Sequence, residues 1–134
     1  MLTDGIDLRS EFLRCLGYFV DSHVLGNSPN YDYWYKVNPQ DFVYGAAEQK
    51  PEYLAPETRY FTSENAMKSS TEDRSELFYH AMLPDNAEMF QSKAMQKKLT
   101  ALCKAIRDAW NTKKEEEVFP WEQYLNDPVA YTKK

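Results

Sequence analysis

The segment FLRCLGYFVDSH, residues 12–23, carries apolar side chains at steps of three and four residues. This spacing predicts an amphipathic α-helix from about Asp7 to Leu25, because residues three and four apart share one helix face. The apolar positions are Phe12, Leu13, Leu16, Phe19, Val20 and Val24. The run Gly26-Asn27-Ser28-Pro29 follows and is typical of a helix end. The segment therefore predicts the first helix of the chain.

A second helix is predicted near the middle of the chain. Ser69-Ser70-Thr71-Glu72 has the pattern of a capping box, in which the Ser69 hydroxyl and the Glu72 carboxylate each accept a backbone N–H at the helix start. Apolar residues at helical spacing follow, and they are Leu77, Phe78, Ala81 and Met82. We expect this helix to reach about Leu83, ahead of Pro84.

The third helix has the clearest pattern. Its apolar stripe is Met95, Leu99, Leu102, Cys103, Ile106, Ala109 and Trp110, and Lys97, Lys98, Lys104, Arg107 and Asp108 lie off the stripe. The preceding NAEMFQS is expected to form either the start of this helix or a separate turn. The closing FPWEQYLNDP predicts one short turn that docks Trp121 and Leu125 on the core.

Between these helices, residues 30–66 keep no period of 2 or 3.6, and prolines and glycine interrupt an aromatic-rich segment. We expect a long ordered loop that its tyrosines and Trp34 hold against the helices. A loop of this length in a small domain is usually either functional or a sign that regular structure has been missed. The predicted fold is one mainly α domain over residues 1–134, with little or no sheet: a helix, an aromatic loop, a helix bearing Glu72 and a long C-terminal helix.

Composition limits the partners. The net charge of -5 argues against nucleic acid, whose phosphates need a basic surface. No apolar run approaches the roughly 18–20 residues of a membrane span, and the first residues lack the pattern of an export signal. We therefore expect a soluble chain. Cys15 and Cys103 are expected to be buried free thiols, although the sequence leaves one bridge open.

Several catalytic patterns are missing from the sequence. It contains no G-x-S-x-G turn, no Gly-rich phosphate loop and no C-x-x-C pair. Glu72, Glu76 and His80 step by four residues, which puts them on one helix face where a metal site could form, although the same spacing is common on solvated helices. His23 has no neighbour of ligand type, so we expect a packed or surface histidine.

Two segments resemble a known family. FLRCLGYFVDSHVL is similar to the H-E-x-G-H-x-x-D helix of zinc peptidases, with Gly17 and Asp21 at matching positions. NAMKSSTEDRSELF resembles the segment that carries the third zinc ligand in the putative zinc-binding metallopeptidases related to the catalytic domain of anthrax lethal factor. FPWEQYL also looks like the end of that family. The resemblance spans about Leu8 to Leu125.

The resemblance assigns each functional position of the family to a residue here. The two zinc histidines fall on Arg14 and Tyr18, the general-base glutamate on Cys15 and the oxyanion tyrosine on Asn65. The third ligand, Glu72, keeps its chemical type. Because an arginine cannot give up its proton and one carboxylate cannot hold zinc, the resemblance implies a degenerate site without a metal or other cofactor. Glu72 is expected to contact Arg14 or Tyr18 in the volume that zinc fills in relatives.

The expected function is therefore that of a catalytically inactive metallopeptidase-like domain that binds a protein or peptide in the former cleft. Two alternatives stay open: a metal-dependent hydrolase with a site rebuilt from Glu72, Glu76, His80 or His23, and a helical interaction module unrelated to zincins. Members of the family are often secreted, and the localisation of this chain stays open.

In complete zincins a sheet precedes the first helix, and we expect that sheet to be absent here. Its absence would expose an apolar face to solvent. The face is formed by Phe12, Leu16, Phe19 and Val20, and covering it is favourable because it removes apolar surface from water. We expect either the aromatic loop, through Trp34 and Tyr35, or a second copy of the chain to cover this face. The oligomeric state is accordingly either a monomer or a homodimer.

Overall fold

The computed structural model describes residues 8–27, 36–109 and 117–126. Three α-helices have both ends within these ranges: α1 (Leu8–Phe19), α2 (Ser70–Ala81) and α3 (Lys93–Ala109). Short 3-10 turns join them, and no strand occurs in these ranges. The predicted mainly α class is therefore confirmed. None of the described helices is long and apolar enough to cross a membrane.

The first predicted helix continues beyond α1 without a break. A π-helical turn (Val20–Val24) and a 3-10 turn (Leu25–Asn27) extend it to the predicted helix end. One side faces the core, where Leu13, Val20 and Val24 are buried. Phe12 and Phe19 lie in solvent, so the single apolar face expected from the sequence is divided between the two sides of the helix. Leu16, at the edge of the core, is half-buried.

The main core lies between this first helix, α2 and α3. Its buried members are Val20, Val24, Leu25, Leu77, Phe78, Ala81, Phe90, Met95, Leu99, Leu102, Cys103, Ala105, Ile106 and Leu125. The predicted turn before α3 is separate, and it forms a 3-10 turn at Ala87–Phe90. The C-terminal segment forms another at Pro120–Glu122, and Trp121 and Leu125 pack on the core as predicted. Ala109 is exposed, and the expected Trp110 contact lies outside the described residues.

The described part of the loop, from residue 36, packs around a second cluster of apolar side chains. Tyr53, Phe61, Ala66 and Met67 are buried there, and Phe42 packs on them. The rings of Phe42 and Phe61 have centroids 4.6 Å apart. Ordered aromatic packing of the loop is therefore observed for this part. Trp34 and Tyr35, which we expected to cover the first helix, lie outside the described residues.

Two basic residues that the sequence placed off the apolar stripe of α3 are buried instead. The Lys98 ammonium is fully buried, 2.8 Å from an Asp73 oxygen of α2, and also donates to the Tyr60 carbonyl at 2.7 Å. Arg107 is paired with the buried carboxylate of Glu122 at 2.6 Å. The amphipathic pattern missed both because it counts charge as a sign of exposure, whereas a paired charge can be buried.

The helices α1 and α2 approach so closely at Gly17 that their backbones nearly touch. A Cβ atom added to Gly17 would lie 2.6 Å from the Ser75 carbonyl oxygen. The two helices are antiparallel, because Arg14 contacts Tyr79 near the end of α2 whereas Tyr18, one turn later in α1, contacts Glu72 near the start of α2. Any side chain at position 17 would therefore force the two helices apart.

We predict that Gly17→Ala destabilises the protein by about 1–3 kcal/mol, the usual range for overpacking. A loss of stability is informative here, because alanine in a helix interior is otherwise more favourable than glycine by about 1 kcal/mol. Urea denaturation measures the effect. Gly26→Ala is the matched control, since an added Cβ there would lie 3.6 Å from its nearest neighbour, an ordinary contact. A Gly17→Ala protein as stable as the unaltered protein would contradict the close approach.

Candidate functional site

The contact between α1 and α2 places Tyr18 on Glu72. The Tyr18 hydroxyl donates to the Glu72 carboxylate, 2.8 Å from one oxygen and 2.9 Å from the other. The side-chain amide of Asn65 donates to the same carboxylate at 2.9 Å. Glu72 therefore joins Asn65, which lies close to it in sequence, to Tyr18, which lies 54 residues before it. The expected contact between Glu72 and Tyr18 is confirmed.

A second carboxylate, Glu76, lies one helical turn further along α2 and joins the same network. The Asn65 amide donates to it at 2.8 Å and so bridges the two carboxylates. The hydroxyls of Thr62 and Ser63 donate to its other oxygen at 2.7 and 2.6 Å. Glu76 is thus buried with three donors. We call Tyr18, Thr62, Ser63, Asn65, Glu72 and Glu76 the carboxylate network.

The other two positions assigned by the resemblance are Arg14 and Cys15, and both lie outside this network. The Arg14 guanidinium carbon lies 4.3 Å from the centre of the Tyr79 ring, a cation–π contact. Within the described residues no ion pair joins Arg14 to Glu72. Cys15 is exposed and free, which corrects the expected burial, and Cys103 is the buried free thiol.

The capping box also departs from expectation. The Ser69 hydroxyl accepts the Glu72 backbone N–H at 3.1 Å, as predicted, and caps α2. The Glu72 side chain, however, is directed to Tyr18 and Asn65. The reason is geometric: a residue in the first turn can reach back to the cap or outward, and here the neighbouring helix offers a hydroxyl donor.

The electrostatics of the site follow from burial and hydrogen bonds. The hydrogen bond to Glu72 raises the pKa of Tyr18, so its hydroxyl stays protonated. Burial alone would raise the pKa of Glu76, but the hydroxyls of Ser63 and Thr62 and the amide of Asn65 outweigh burial and lower it. Burial lowers the pKa of His80 to about 4, so this imidazole is neutral at pH 7. The site therefore holds anionic Glu76 beside neutral donors.

Thr62 and Ser63 are site residues that the sequence analysis missed. They precede Asn65 in the run FTSEN, where two hydroxyl residues come shortly before a helix that bears carboxylates. That run is a weak signal, because hydroxyl residues are common in loops. Asp21, which the resemblance matched to a family position, is buried in an ion pair with Arg74 of α2.

The donor set does not fit the zinc ion of the resembled family. Of the three ligand positions, Arg14 is a cation, Tyr18 is a protonated phenol and Glu72 alone is a zinc-type ligand. Among the described residues, no group of three or more His, Cys, Asp or Glu side chains is arranged to hold a metal ion. His23, the other histidine, is exposed and contacts the Phe19 ring, with ring centroids 4.8 Å apart.

Comparisons of the chain with protein families, with curated proteins and with solved structures found no match.

We predict that His80 makes the protein less stable as the pH falls. The folded pKa of about 4 lies below the ordinary 6.5, so between these values the unfolded state binds the proton and the folded state does not. The contribution of His80 to the free energy of unfolding is therefore complete above pH 6.5. It decreases by roughly 2–3 kcal/mol as the pH falls toward 4. Urea denaturation at several pH values measures this slope.

His80→Gln should remove that part of the slope, whereas His23→Gln, at the exposed histidine, should keep it. Carboxylates titrate in all three proteins, so the informative quantity is the difference between their curves of unfolding free energy against pH. Equal slopes for His80→Gln and the unaltered protein would contradict a neutral buried His80.

Proposed function

We propose that this chain is a degenerate relative of the zinc metallopeptidases and that it binds a protein or peptide, without hydrolysing it, beside the carboxylate network. The observation that carries the proposal is the convergence of Tyr18, Asn65 and Glu72. These residues stand where the resemblance places the second zinc histidine, the oxyanion tyrosine and the third ligand. Asn65 and Glu72 are only seven residues apart, so the informative contact is the one between Tyr18 of α1 and Glu72 of α2, which are 54 residues apart.

The chemistry of the network supports binding over hydrolysis. Each Glu72 oxygen lies within 2.9 Å of the Tyr18 hydroxyl, and one Glu76 oxygen accepts two hydroxyls. Those donors hold the carboxylates in place and take up lone pairs that a metal ion would need. Cys15, at the position of the general base, is an exposed thiol with no carboxylate to activate water.

The charges indicate the kind of peptide. Glu72 is only partly buried and lies at the edge of the network, whereas Glu76 is buried behind it. A Lys or Arg side chain, or a peptide amino terminus, could donate to Glu72 from solvent. Arg14 is held over Tyr79 and leaves this carboxylate without an ion pair in the described structure. We therefore propose a basic peptide segment as the ligand.

The second candidate is a hydrolase with a metal site rebuilt on α2. Glu72, Glu76 and His80 share one helix face, and the neutral His80 imidazole is in the protonation state that metal ligation requires. Against it, the Glu72 and Glu76 oxygens already accept the hydrogen bonds of the network. A helical interaction module unrelated to zincins is the third candidate, and the zinc experiment below separates it from the first.

We predict that Arg14→His/Tyr18→His creates a zinc site, whereas the unaltered protein carries no stoichiometric zinc and cleaves no peptide. Two histidines at i and i+4 with Glu72 would supply the three ligands of a peptidase site. The control Arg14→His/Tyr18→His/Glu72→Gln keeps both histidines and loses the carboxylate. We expect it to bind zinc at least about tenfold more weakly, because even the loss of a group that only supports a ligand costs about 10–100-fold in metal affinity.

Isothermal titration and elemental analysis after dialysis measure this difference. If both variants are folded by circular dichroism and bind zinc equally, Glu72 does not stand at a third-ligand position and the zincin relationship fails. One zinc per chain in the unaltered protein would favour the rebuilt site instead.

We also predict that a displayed random-peptide library yields Lys- or Arg-containing peptides that bind the unaltered chain. Glu72→Gln should weaken these peptides about tenfold, because it removes a charge from the binding surface with little change in shape. Glu57→Gln, at an exposed carboxylate elsewhere in the loop, is the control and should leave binding unchanged. Peptides that bind the Glu72→Gln protein equally well would contradict binding at this carboxylate.

A further inference from the structure

The side of α1 that faces solvent carries its own apolar stripe. Leu8, Phe12, Cys15 and Phe19 are all exposed, with 64% of Phe12 and 51% of Phe19 accessible. Their spacing of four, three and four residues puts them on one helix face. We call these four residues the outer stripe. The buried residues of the same helix, Leu13 and Gly17, lie on the opposite side.

A helix with apolar residues on both sides is typical of one that is covered on both sides. The outer stripe exposes ~450 Å² of side chain, which is in the range of the largest apolar patch on a typical monomer and is often functional. Among the described residues, the other large exposed hydrophobic side chains are Tyr18, whose hydroxyl is bonded to Glu72, and Val43 and Val118, which come from separate segments. Single residues of that kind are ordinary on protein surfaces.

The spacing of the stripe residues along the helix is the same from either end. Read from either end, its steps are four, three and four residues. If two copies of α1 pack antiparallel, Leu8 of one copy meets Phe19 of the other, and Phe12 meets Cys15. All four stripe residues then find an apolar partner at once. A stripe that fits its own reverse is what a two-fold interface requires, because each contact is made twice.

We propose that the outer stripe is a homodimer interface in which two α1 helices pack antiparallel about a two-fold axis. Two fully covered stripes would bury ~900 Å² in total, which is below the area of stable interfaces and in the range of weak, transient ones. The dimer is therefore weak, and the fraction of paired chains depends on the protein concentration. This pairing is independent of the proposed peptide site, since none of the stripe residues belongs to the carboxylate network.

The first test follows the mass of the full chain by analytical ultracentrifugation from about 1 to about 200 µM, a range that brackets micromolar association. We expect a shift from monomer to dimer with rising concentration. Phe12→Glu should weaken the dimer at least tenfold, because it places a charge at the centre of each stripe. Val43→Glu is the matched control, since Val43 is as exposed as Phe12 but lies outside the stripe, and it should leave the dimer unchanged.

The second test uses the exposed thiol of the unaltered chain and does not depend on any substitution being tolerated. In the antiparallel pair the two Cys15 residues are offset by roughly 4–5 Å along the helix, whereas the two Leu8 residues are roughly 16 Å apart. A short bismaleimide reagent should therefore link two unaltered chains through Cys15. The same reagent should not link Leu8→Cys/Cys15→Ser, in which the thiol is moved to the end of the stripe.

Three results would overturn the proposal. The first is a monomer throughout the concentration range. The second is a dimer that Phe12→Glu leaves intact. The third is equal linking of Leu8→Cys/Cys15→Ser and the unaltered chain, which indicates parallel helices.

Discussion

The close approach of α1 and α2 at Gly17 is the constraint on which the rest of the site depends. With no side chain at this position, the first helix can lie against the Ser75 carbonyl of the second. That distance allows the hydroxyl of Tyr18, one residue later, to reach Glu72 in the first turn of α2.

Buried ion pairs hold the three helices in this arrangement. Arg74 of α2 pairs with Asp21 of the first helix, and Asp73 of α2 pairs with Lys98 of α3. Tyr44 of the loop donates to the same Asp73 carboxylate at 2.6 Å, which connects the aromatic cluster to the helices. Removing one member of such a pair leaves a buried charge without compensation, so moving either helix away from its partner is costly.

The burial of Asp73 and Lys98 also explains why the loop is ordered, although residues 38–67 contain only short 3-10 turns and no strand. Burial raises the pKa of Asp73 and lowers that of Lys98, since both charged forms lose water. The Lys98 ammonium regains contacts from the Tyr60 carbonyl and from the Phe61 ring, whose centre is 3.9 Å away. The loop therefore supplies polar and aromatic partners to a buried charge, and this role fixes its path across α3.

The sequence by itself determined the three helices and the approximate ends of the first two; α2 ends at Ala81, slightly before the expected Leu83. The apolar repeats, the Ser69 cap and the Gly26 and Pro84 breaks are local signals, because helix formation depends on residues within one or two turns. The same patterns placed Leu99, Leu102 and Ile106 in the core correctly. They failed for Lys98 and Arg107, whose burial depends on Asp73 and Glu122 elsewhere in the chain.

Only the tertiary structure decided which side chains meet. The resemblance led to the expectation that Glu72 would contact Arg14 or Tyr18, and the fold selected Tyr18 and placed Arg14 on Tyr79. It also brought Thr62 and Ser63 to Glu76 and divided the apolar residues of the first helix between the core and solvent. The physical reason is that a helical repeat gives the spacing of side chains around one axis, whereas their partners depend on how closely and in which direction the axes cross.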